Sequence, residues 1–509
     1  MATVGNEDTE LIPSPQQIVH LEKLSWKQLI TISLFWFALN FHWAALGIIV
    51  LPSQVFKLVG PLHQGESLAF VLVPGAFVAL FANPLFGMLS DQMHGKLAGW
   101  GRRRPYILIG TLVNVVGLVW MAFAPDIPTL TLAYILVQFA SNAAQAPFHA
   151  LLPDLVPSQQ RGLASGVMGV LTIGGNIGGI IVAGLFVDAT KPPLAYQHSL
   201  WLIYGLIIAV MLVLMLVTIA TVREKTGLSA RSASENAILL PAPTLTPGTL
   251  LPAWLKRSSL YTIGGTLLIV ALLWGLIQAW NGLHLTSIQI NAGVQQVVLE
   301  LVATLGILRL FDFQPRRNPN FAWVFVTRLL MMLGIYTIQT FLQYYMRDVV
   351  HAARPELATT NFAVIVSITS LASALGVGWL SDRYGRKLMV YLSGAFMGLV
   401  GLVFVLTHSL PLVITAGAIF GLGYGAYQSV DWALVADVLP SERNYARDMG
   451  VWSISLAVPQ IIAPVLGGPL IDTFTRNGQT VLGYQLLFIM AIIYCVLGTV
   501  TVRYIRGVK

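Results

Sequence analysis

Apolar residues along this chain come in unbroken runs of roughly 20 positions, the length an α-helix needs to cross hydrocarbon, and not in the alternating runs of about 10 that mark membrane β-strands. In the first part of the chain the runs cover residues 28–51, 67–89, 106–124, 130–152, 162–187 and 200–222. A polar, proline-rich stretch follows over 223–259. Further runs cover 321–345, 361–380, 388–407, 412–435, 449–471 and 482–502. The pattern predicts an all-α polytopic membrane protein of two pseudo-symmetric six-helix bundles, with 12 core spans. Its parts are an N-terminal tail (1–27), a six-helix half (28–222), a central linker (223–320) and a second six-helix half (321–509).

The linker holds more than a tether. Residues 260–280 carry no charge and are too apolar to lie in water. A single extra span would invert the second half relative to the first, so the insert crosses twice or not at all. Residues 297–313 supply a return leg, although Glu300 and Arg309 fall in it, and residues 281–296 between the legs contain no Lys or Arg. An added transmembrane hairpin is expected; a pair of interfacial segments is the alternative.

Composition agrees with a bilayer as solvent. Apolar residues make up 56% of the 509 and charged residues 10%, against about 25% charged in soluble domains. The net charge of +8 is spread over short loops, which excludes a nucleic-acid surface. The single cysteine, Cys495, allows no internal disulfide and no cysteine-based metal cluster, and no cofactor or metal is expected. The N-terminus does not read as a cleaved signal peptide. With the N-terminus inside, the inner loops hold Lys96, Arg102, Arg103, Arg104, Arg161, Arg223, Lys225, Arg383, Arg386, Lys387, Arg443, Arg447, Arg503 and Arg506, and the outer loops only Lys57, Lys191, Arg347, Arg354 and Arg476. This positive-inside asymmetry places both termini in the cytoplasm of a protein of the cell membrane.

The two halves are related in sequence. Residues 142–160 align without gaps with 425–443, pairing Ala143 with Ala426, Gln145 with Gln428, Asp154 with Asp437, Pro157 with Pro440 and Ser158 with Ser441. The second span of each half ends alike, in Gly87-Met-Leu-Ser-Asp91 and Gly378-Trp-Leu-Ser-Asp382, followed by Gly101-Arg102-Arg103 and Gly385-Arg386-Lys387. Internal repeats of this kind mark transporters that rock two halves about a central site.

These residues resemble the major facilitator superfamily over essentially the whole chain. The second loop, Gly378 to Lys387, follows the family's G-x-L-x-D-R-x-G-R-K signature closely. The first departs from it, with Gln92 in place of the first Arg and a longer loop ending Gly101-Arg-Arg-Arg-Pro105. That ending, and Phe41-His-Trp43 ahead of Leu51-Pro52, resemble the sucrose-transporter and glycoside–cation symporter branch. The resemblance implies a conformational latch made of Gly87, Asp91, Arg102, Arg103, Asp154, Gly378, Asp382, Arg383, Arg386 and Asp437. In it the arginines reach Asp154 and Asp437, and Asp91 and Asp382 face helix N-termini. Read without the resemblance, the arginines simply anchor loops inside, and the glycines let helices approach closely.

In such a fold the first and fourth spans of each half line the cavity. Their polar residues are candidates for solute binding: Asn40, His42, Asn142, Gln145, His149, Tyr336, Gln339, Gln343, Gln428 and Trp432. Amides and aromatic rings suit a polyhydroxylated solute; the alternative for each is hydrogen bonding between helices. Charges inside spans are costly and point to function, which singles out Arg328 and Asp431 for proton coupling, or for an ion pair with a structural role. No G-x-x-x-x-G-K-S/T motif is present. The glycines of Gly174-Gly-Asn-Ile-Gly-Gly179 match the drug-antiporter signature only in part and read as a close-packing helix. The expected activity is secondary transport of a small polar solute, a sugar or glycoside, in symport with protons or another ion, by a monomer in the lipid bilayer. A drug or metabolite efflux antiporter is the alternative, and a membrane-embedded enzyme a remote one, because the outer loops lack a cluster of catalytic acids or His.

Overall fold

The computed structural model describes residues 24–91, 93, 100–157, 160–222, 257–283, 295, 298–299, 302, 304–306, 308–309, 313, 315–438 and 445–506. The first helix, α1 (Trp26–Ala44), opens on a capping box in which Ser25 Oγ accepts the Gln28 N–H at 3.4 Å and Gln28 Oε1 accepts the Ser25 N–H at 2.8 Å. It continues through a π-helical turn (Ala45–Val50) into α2 (Leu51–Val59). The helical run of 34 residues therefore passes well beyond residue 51, where the apolar pattern ends. Pro52 is the physical reason for the irregularity: it has no N–H to give the carbonyl of Ile48, and the π turn absorbs the mismatch.

The first half continues with α3 (Gln64–Asp91), α4 (Arg104–Ala122), α5 (Ile127–Leu155), α6 (Arg161–Phe186) and α7 (Pro193–Thr221). A separate helix, α8 (Arg257–Gly282), precedes the second half, which comprises α9 (Pro319–Asp348), α10 (Pro355–Tyr384), α11 (Arg386–Leu406), α12 (Leu410–Val438), α13 (Tyr445–Arg476) and α14 (Thr480–Thr501). Proline occupies the first turn of α4, α7, α9 and α10, where its missing N–H costs nothing. Between α10 and α11, Gly385 takes φ 96°, a conformation open to glycine that lets the chain reverse.

Among the described residues, twelve helices are long and apolar enough to cross a membrane, α8 included; α3 adds a shorter apolar stretch, Gln64–Ala79. Packing follows the repeat. The pairs α1–α6, α3–α5, α4–α5 and α1–α7 recur as α9–α13, α10–α12, α11–α12 and α9–α14, and the halves meet along α3–α13 and α6–α10, which are themselves repeat-related. Large apolar side chains on the periphery are exposed, among them Val170, Leu194, Val213, Leu375 and Leu412, as expected where lipid replaces water. The interior holds Phe35, Tyr204, Phe341, Tyr345, Phe404 and Phe488.

Glycine spacing sets how near α6 comes to α1. A Cβ on Gly175 or Gly179 would fall on the carbonyl oxygens of Phe37 and Phe41. Gly87 differs from expectation: a Cβ there would meet only the Ala146 Cβ, at 4.0 Å, so close helix approach does not require glycine at that position. Along its length α8 presents Tyr261, Leu267, Leu268, Leu272 and Leu276 outward. Scattered described residues between 295 and 309 are helical; Gln278 Nε2 lies 3.4 Å from Gln295 Oε1, and Gly306 abuts the side chain of Thr266.

Candidate functional site

The bundle has two ends. The starts of α1 and α9 and the end of α14 lie at one, here the terminal face; Asn320 and Arg506 bond to each other there at 2.9 Å. The α2–α3, α6–α7 and α9–α10 connections lie at the other, the opposite face.

The halves are sewn together at the opposite face. Glu356 on α10 accepts from Ser53 Oγ (2.9 Å) and from the Ala189 N–H (3.1 Å). Tyr344 gives its hydroxyl to the Pro52 carbonyl at 3.1 Å. Asp472 on α13 accepts the N–H groups of Gly65 and Glu66 at the start of α3, and Arg476 pairs with Glu66 at 3.1 Å. Arg354 lies 3.5 Å from Asp188. Gln64 joins Asp348 (2.6 Å) and Arg347, and Asp348 also takes the Tyr484 hydroxyl at 2.6 Å. These contacts close the passage at that end.

Toward the terminal face the inner wall keeps polar groups accessible. His149 on α5 is exposed, with its ring 4.5 Å from that of Trp36 on α1 and Gln145 Nε2 at 3.5 Å. Asn40, Gln145, Tyr336, Gln339 and Gln428 are half-buried. Amide–phenol pairs recur: Gln428 donates to Tyr424 and Gln460 to Tyr336, both at 2.8 Å and half-buried, while Gln138 donates to Tyr134 at 2.8 Å in a buried pair packed against Gly75 of α3.

Not every expected residue faces this space. Asn40 Nδ2 is spent on the Trp36 carbonyl of its own helix at 2.7 Å. Asn142 is buried and bonded to Gln138 and Asn83. His42 is 0% exposed, its ring tilted at 4.6 Å from that of Trp43, and neither ring nitrogen has a hydrogen-bond partner among the described residues. Gln343 is buried in the closure at the opposite face. The side chain of Trp432 lies outside the described residues.

Arg328 and Asp431 meet. The Arg328 Nε lies 3.2 Å from Asp431 Oδ2, and both side chains are nearly inaccessible, at 5% and 2%. Among the described residues neither atom makes an aligned hydrogen bond, and Arg328 Nη1 has none either, so the contact is ionic and loosely directed. The guanidinium carbon lies over Trp452, 3.2 Å from the ring centroid, and Tyr427 gives its hydroxyl to Asp431 Oδ1 at 3.1 Å. Trp452 and Tyr427 complete a buried cluster that sequence reasoning did not assemble.

Of the latch residues, Arg102 and Arg103 both reach Asp154 Oδ2 at 3.2 Å. Arg103 is buried and also donates to Ser90 Oγ at 2.5 Å. Arg383 is exposed and Arg386 half-buried. The side chains of Asp91, Asp382 and Asp437, and the surroundings of Gly378, lie outside the described residues. The sequence reading missed Glu356, Asp348 and Asp472 as site residues; the available signal was an acidic residue at the end of an apolar run, which also describes an ordinary loop.

Two repeat-related six-helix halves, closed on each other at one end and polar along the inner wall, define a multi-pass membrane transporter. Models of the family match both halves: "Major Facilitator Superfamily" over residues 324–508 and "MFS/sugar transport protein" over 66–239. The chain belongs to the major facilitator superfamily and resembles its sucrose and glycoside branch. It is 28% identical to the sucrose transport protein SUC3 of Arabidopsis thaliana over 160 residues, 27% of this chain and 26% of that protein. It is 22% identical to the riboflavin transporter RibZ of Clostridioides difficile over 407 residues, 78% of this chain and 77% of that one. The fold matches the crystal structure of the peptide transporter POT in complex with sulfate at TM-score 0.64 and 16% identity, over 96% of this chain and 98% of that one.

Proposed function

We propose that this chain is a secondary active transporter that carries a small polar solute, a sugar or glycoside, across the cytoplasmic membrane by alternating access in symport with protons. The observation that carries the reading is the inner wall: amides paired with phenols and ringed by aromatic faces, with one buried Arg–Asp pair behind them. Sugar hydroxyls need donors and acceptors in equal supply, which amides and phenols offer, and a sugar ring's apolar face stacks on aromatics. The likeness to a sucrose transporter and to a sugar-transport family model supports the solute class; the likeness to a riboflavin transporter keeps other polyhydroxylated solutes within it. Gln145, His149, Tyr336, Gln339 and Gln428 are assigned to the solute, with Asn142 and His42, both buried in this conformation, reached on rearrangement. Arg328 and Asp431 are assigned to proton coupling.

The terminal face is assigned to the cytoplasm by the basic loops, and the unit of function is assigned as a monomer. The insert is assigned as a two-helix hairpin over 260–280 and 297–313, supported by the contacts of Gln278 with Gln295 and Thr266 with Gly306.

Purified full-length protein in liposomes tests the function. Radiolabelled sugars and glycosides are offered with and without an inward pH gradient, and the expected result is accumulation of at least one of them that collapses when the gradient is dissipated. Uptake of none of them, or accumulation indifferent to the gradient, overturns the reading in its solute or its coupling part respectively.

A further inference from the structure

The seam where the halves meet along α6 and α10 carries an open groove of about 490 Å³ near the opposite face. Ile181 and Leu185 of α6 form one wall, Leu357, Val364 and Ile365 of α10 the other, and Ile414 of α12 borders it. That volume suits a small ligand, for which about 300–1,000 Å³ is usual. It is too small to seat a further helix, about 10 Å across. The open side looks outward: Ile181 and Leu185 are 37% and 53% exposed, and Ile368 and Leu375, further along α10, are 56% and 74%. Beneath the groove the halves touch. The Thr360 hydroxyl donates to the Ile180 carbonyl at 3.3 Å, and a Cβ on Gly184 would strike the Thr360 side chain.

A cation stands at the mouth of this apolar groove and an amide within it. Arg354, Leu357, Asn361 and Ile365 follow one another at i, i+3, i+7 and i+11, a single stripe of α10. The Arg354 side chain is 40% exposed, with Nη2 on the Leu185 carbonyl at 3.2 Å and Nε 3.5 Å from Asp188. Beside it Lys191 reaches the Phe186 carbonyl at 3.4 Å. Lys57 is turned to the carbonyls of Ala189 and Lys191, and Glu356 is buried. The mouth therefore presents Arg354 and Lys191 against one carboxylate, Asp188, whose side chain is only 10% exposed. Asn361 lies seven residues further along α10, about 10 Å deeper. It lines the groove, is exposed, and makes no hydrogen bond among the described residues. A bare amide turned to hydrocarbon costs free energy, so this one calls for a polar partner at a depth where the bilayer supplies only lipid.

A phospholipid carries the complementary groups in the same order: an anionic phosphate, then ester carbonyls, then an acyl chain. The polar zone of one leaflet is about 5–7 Å deep, so with Arg354 among the phosphates Asn361 comes at the edge of the hydrocarbon, beneath the esters. We infer that a phospholipid of the leaflet at the opposite face binds in the α6–α10 groove, with its phosphate at Arg354, an ester carbonyl accepting from the Asn361 amide and one acyl chain along the apolar walls. Basic pockets between membrane helices hold lipid head groups in this way. The two walls belong to different halves, so the groove has this shape only while the opposite face is shut. A lipid that fits it favours the shut state by its differential affinity. That gating consequence rests on the alternating-access reading above; the binding site does not.

The test uses neither solute nor pH gradient, so it fails or succeeds apart from the uptake assay. Purified full-length protein, stripped of lipid in detergent, is titrated with dioleoylphosphatidylglycerol, and bound lipid is counted by native mass spectrometry. One molecule is expected to be retained above the rest. Asn361→Leu is expected to weaken its retention about fivefold and Arg354→Gln about tenfold, as for loss of a neutral and of a charge-assisted hydrogen bond. Asn361→Leu removes no bond within the protein and gives the answer where Arg354→Gln disturbs the closure. Arg317→Gln, at an exposed arginine just before α9, is expected to change nothing. Dioleoylglycerol, with the same chains and no phosphate, is expected to bind about as weakly as the phospholipid binds to Arg354→Gln. For the gate, spin labels are placed at Leu62 and His408, exposed loop residues of the two halves at the opposite face, in a Cys495→Ser background. Added phosphatidylglycerol is expected to raise the closed-to-open ratio severalfold, and Asn361→Leu to remove the rise. Retention indifferent to both groove variants, as for ordinary boundary lipid, or equal retention of dioleoylglycerol, overturns the site. Retention that obeys the variants while the gate stays unmoved overturns the coupling of lipid to closure.

Discussion

Asp472 on α13 caps Glu66 on α3: its Oδ2 accepts the Glu66 backbone N–H at 2.7 Å, and its Oδ1 the Gly65 N–H at 3.0 Å. A helix start leaves such N–H groups without partners and carries partial positive charge. Here the missing cap comes from the other half of the molecule, so it exists only while the opposite face is shut. Gly65 and Gly468 make the approach possible, since a Cβ on either would strike the other's backbone. Asp472→Ala is expected to shift the resting population toward the state open at that face by about 1 kcal/mol, roughly fivefold in the ratio. Faster labelling of a cysteine placed at Tyr344, whose hydroxyl is buried in this closure, reads the shift. Unchanged labelling would show that the cap stabilises the fold without biasing the two states.

The pairing of Arg103 and Asp154 makes a second prediction, because the two arginines on Asp154 are unequal. Arg103 is 3% exposed in its side chain and held by both Asp154 and Ser90, whereas Arg102 is 42% exposed. Removing a buried partner leaves the other group's hydrogen bonds unmade; removing an exposed one does not. Arg103→Ala should lower stability in detergent by about 1–3 kcal/mol, and Arg102→Ala by less than about 1 kcal/mol. Equal losses in thermal unfolding would contradict the assignment of Arg103 as the structural member.

Along α6 the glycines divide into those that touch and those that do not. A Cβ on Gly179 would land on the Phe41 carbonyl, while Gly166 and Gly169 have nothing within 4 Å. Gly179→Ala must push α1 away and is expected to cost about 1–3 kcal/mol. Gly166→Ala, at an open helix position, is expected to be neutral or slightly stabilising. Thermal melts of the two variants side by side check this, and a tolerated Gly179→Ala would mean that α1 and α6 do not hold this spacing in the membrane.

Much of the architecture was legible because the bilayer imposes a single length on every span, so the apolar runs found the helices of both halves and α8. The boundary at residue 51 fell short because the unbroken apolar run ends there, whereas a π turn carries the helix on to Val59. Arg328 and Asp431 stood out as rare charges within spans, and the fold puts them 3.2 Å apart. Trp452, on which Arg328 lies, carries no such mark among 13 tryptophans. Gln343 was read as a solute ligand as one of the polar residues of a cavity-lining span, yet it sits in the closure beside Glu356: the sequence gives the span that carries a polar residue but not the depth at which it meets a cavity. Glu356 and Asp472 escaped notice because each stands at the edge of an apolar run, where a charge costs nothing in a loop and acquires meaning only when the other half packs on it.

The remaining prediction separates two roles for Asp431. In this conformation it is paired with Arg328 and accepts the Tyr427 hydroxyl, the arrangement expected of a structural ion pair. A coupling carboxylate needs the same neighbour for part of the cycle, since a cation that approaches and withdraws is what makes proton uptake depend on conformation. The loose geometry, at contact distance without an aligned hydrogen bond, suits a pair that opens and closes. Asp431→Asn keeps the shape, still accepts from Tyr427 and removes the titrating group. If Asp431 carries the proton, this variant loses accumulation driven by a pH gradient but keeps exchange of solute down its own gradient. If the pair is structural, Asn leaves Arg328 buried and unpaired, at a cost of about 3–5 kcal/mol. The variant then folds poorly, and adding Arg328→Gln restores both folding and pH-driven uptake. Restored uptake in the double variant assigns Asp431 to structure; a well-folded single variant that exchanges but does not accumulate assigns it to coupling.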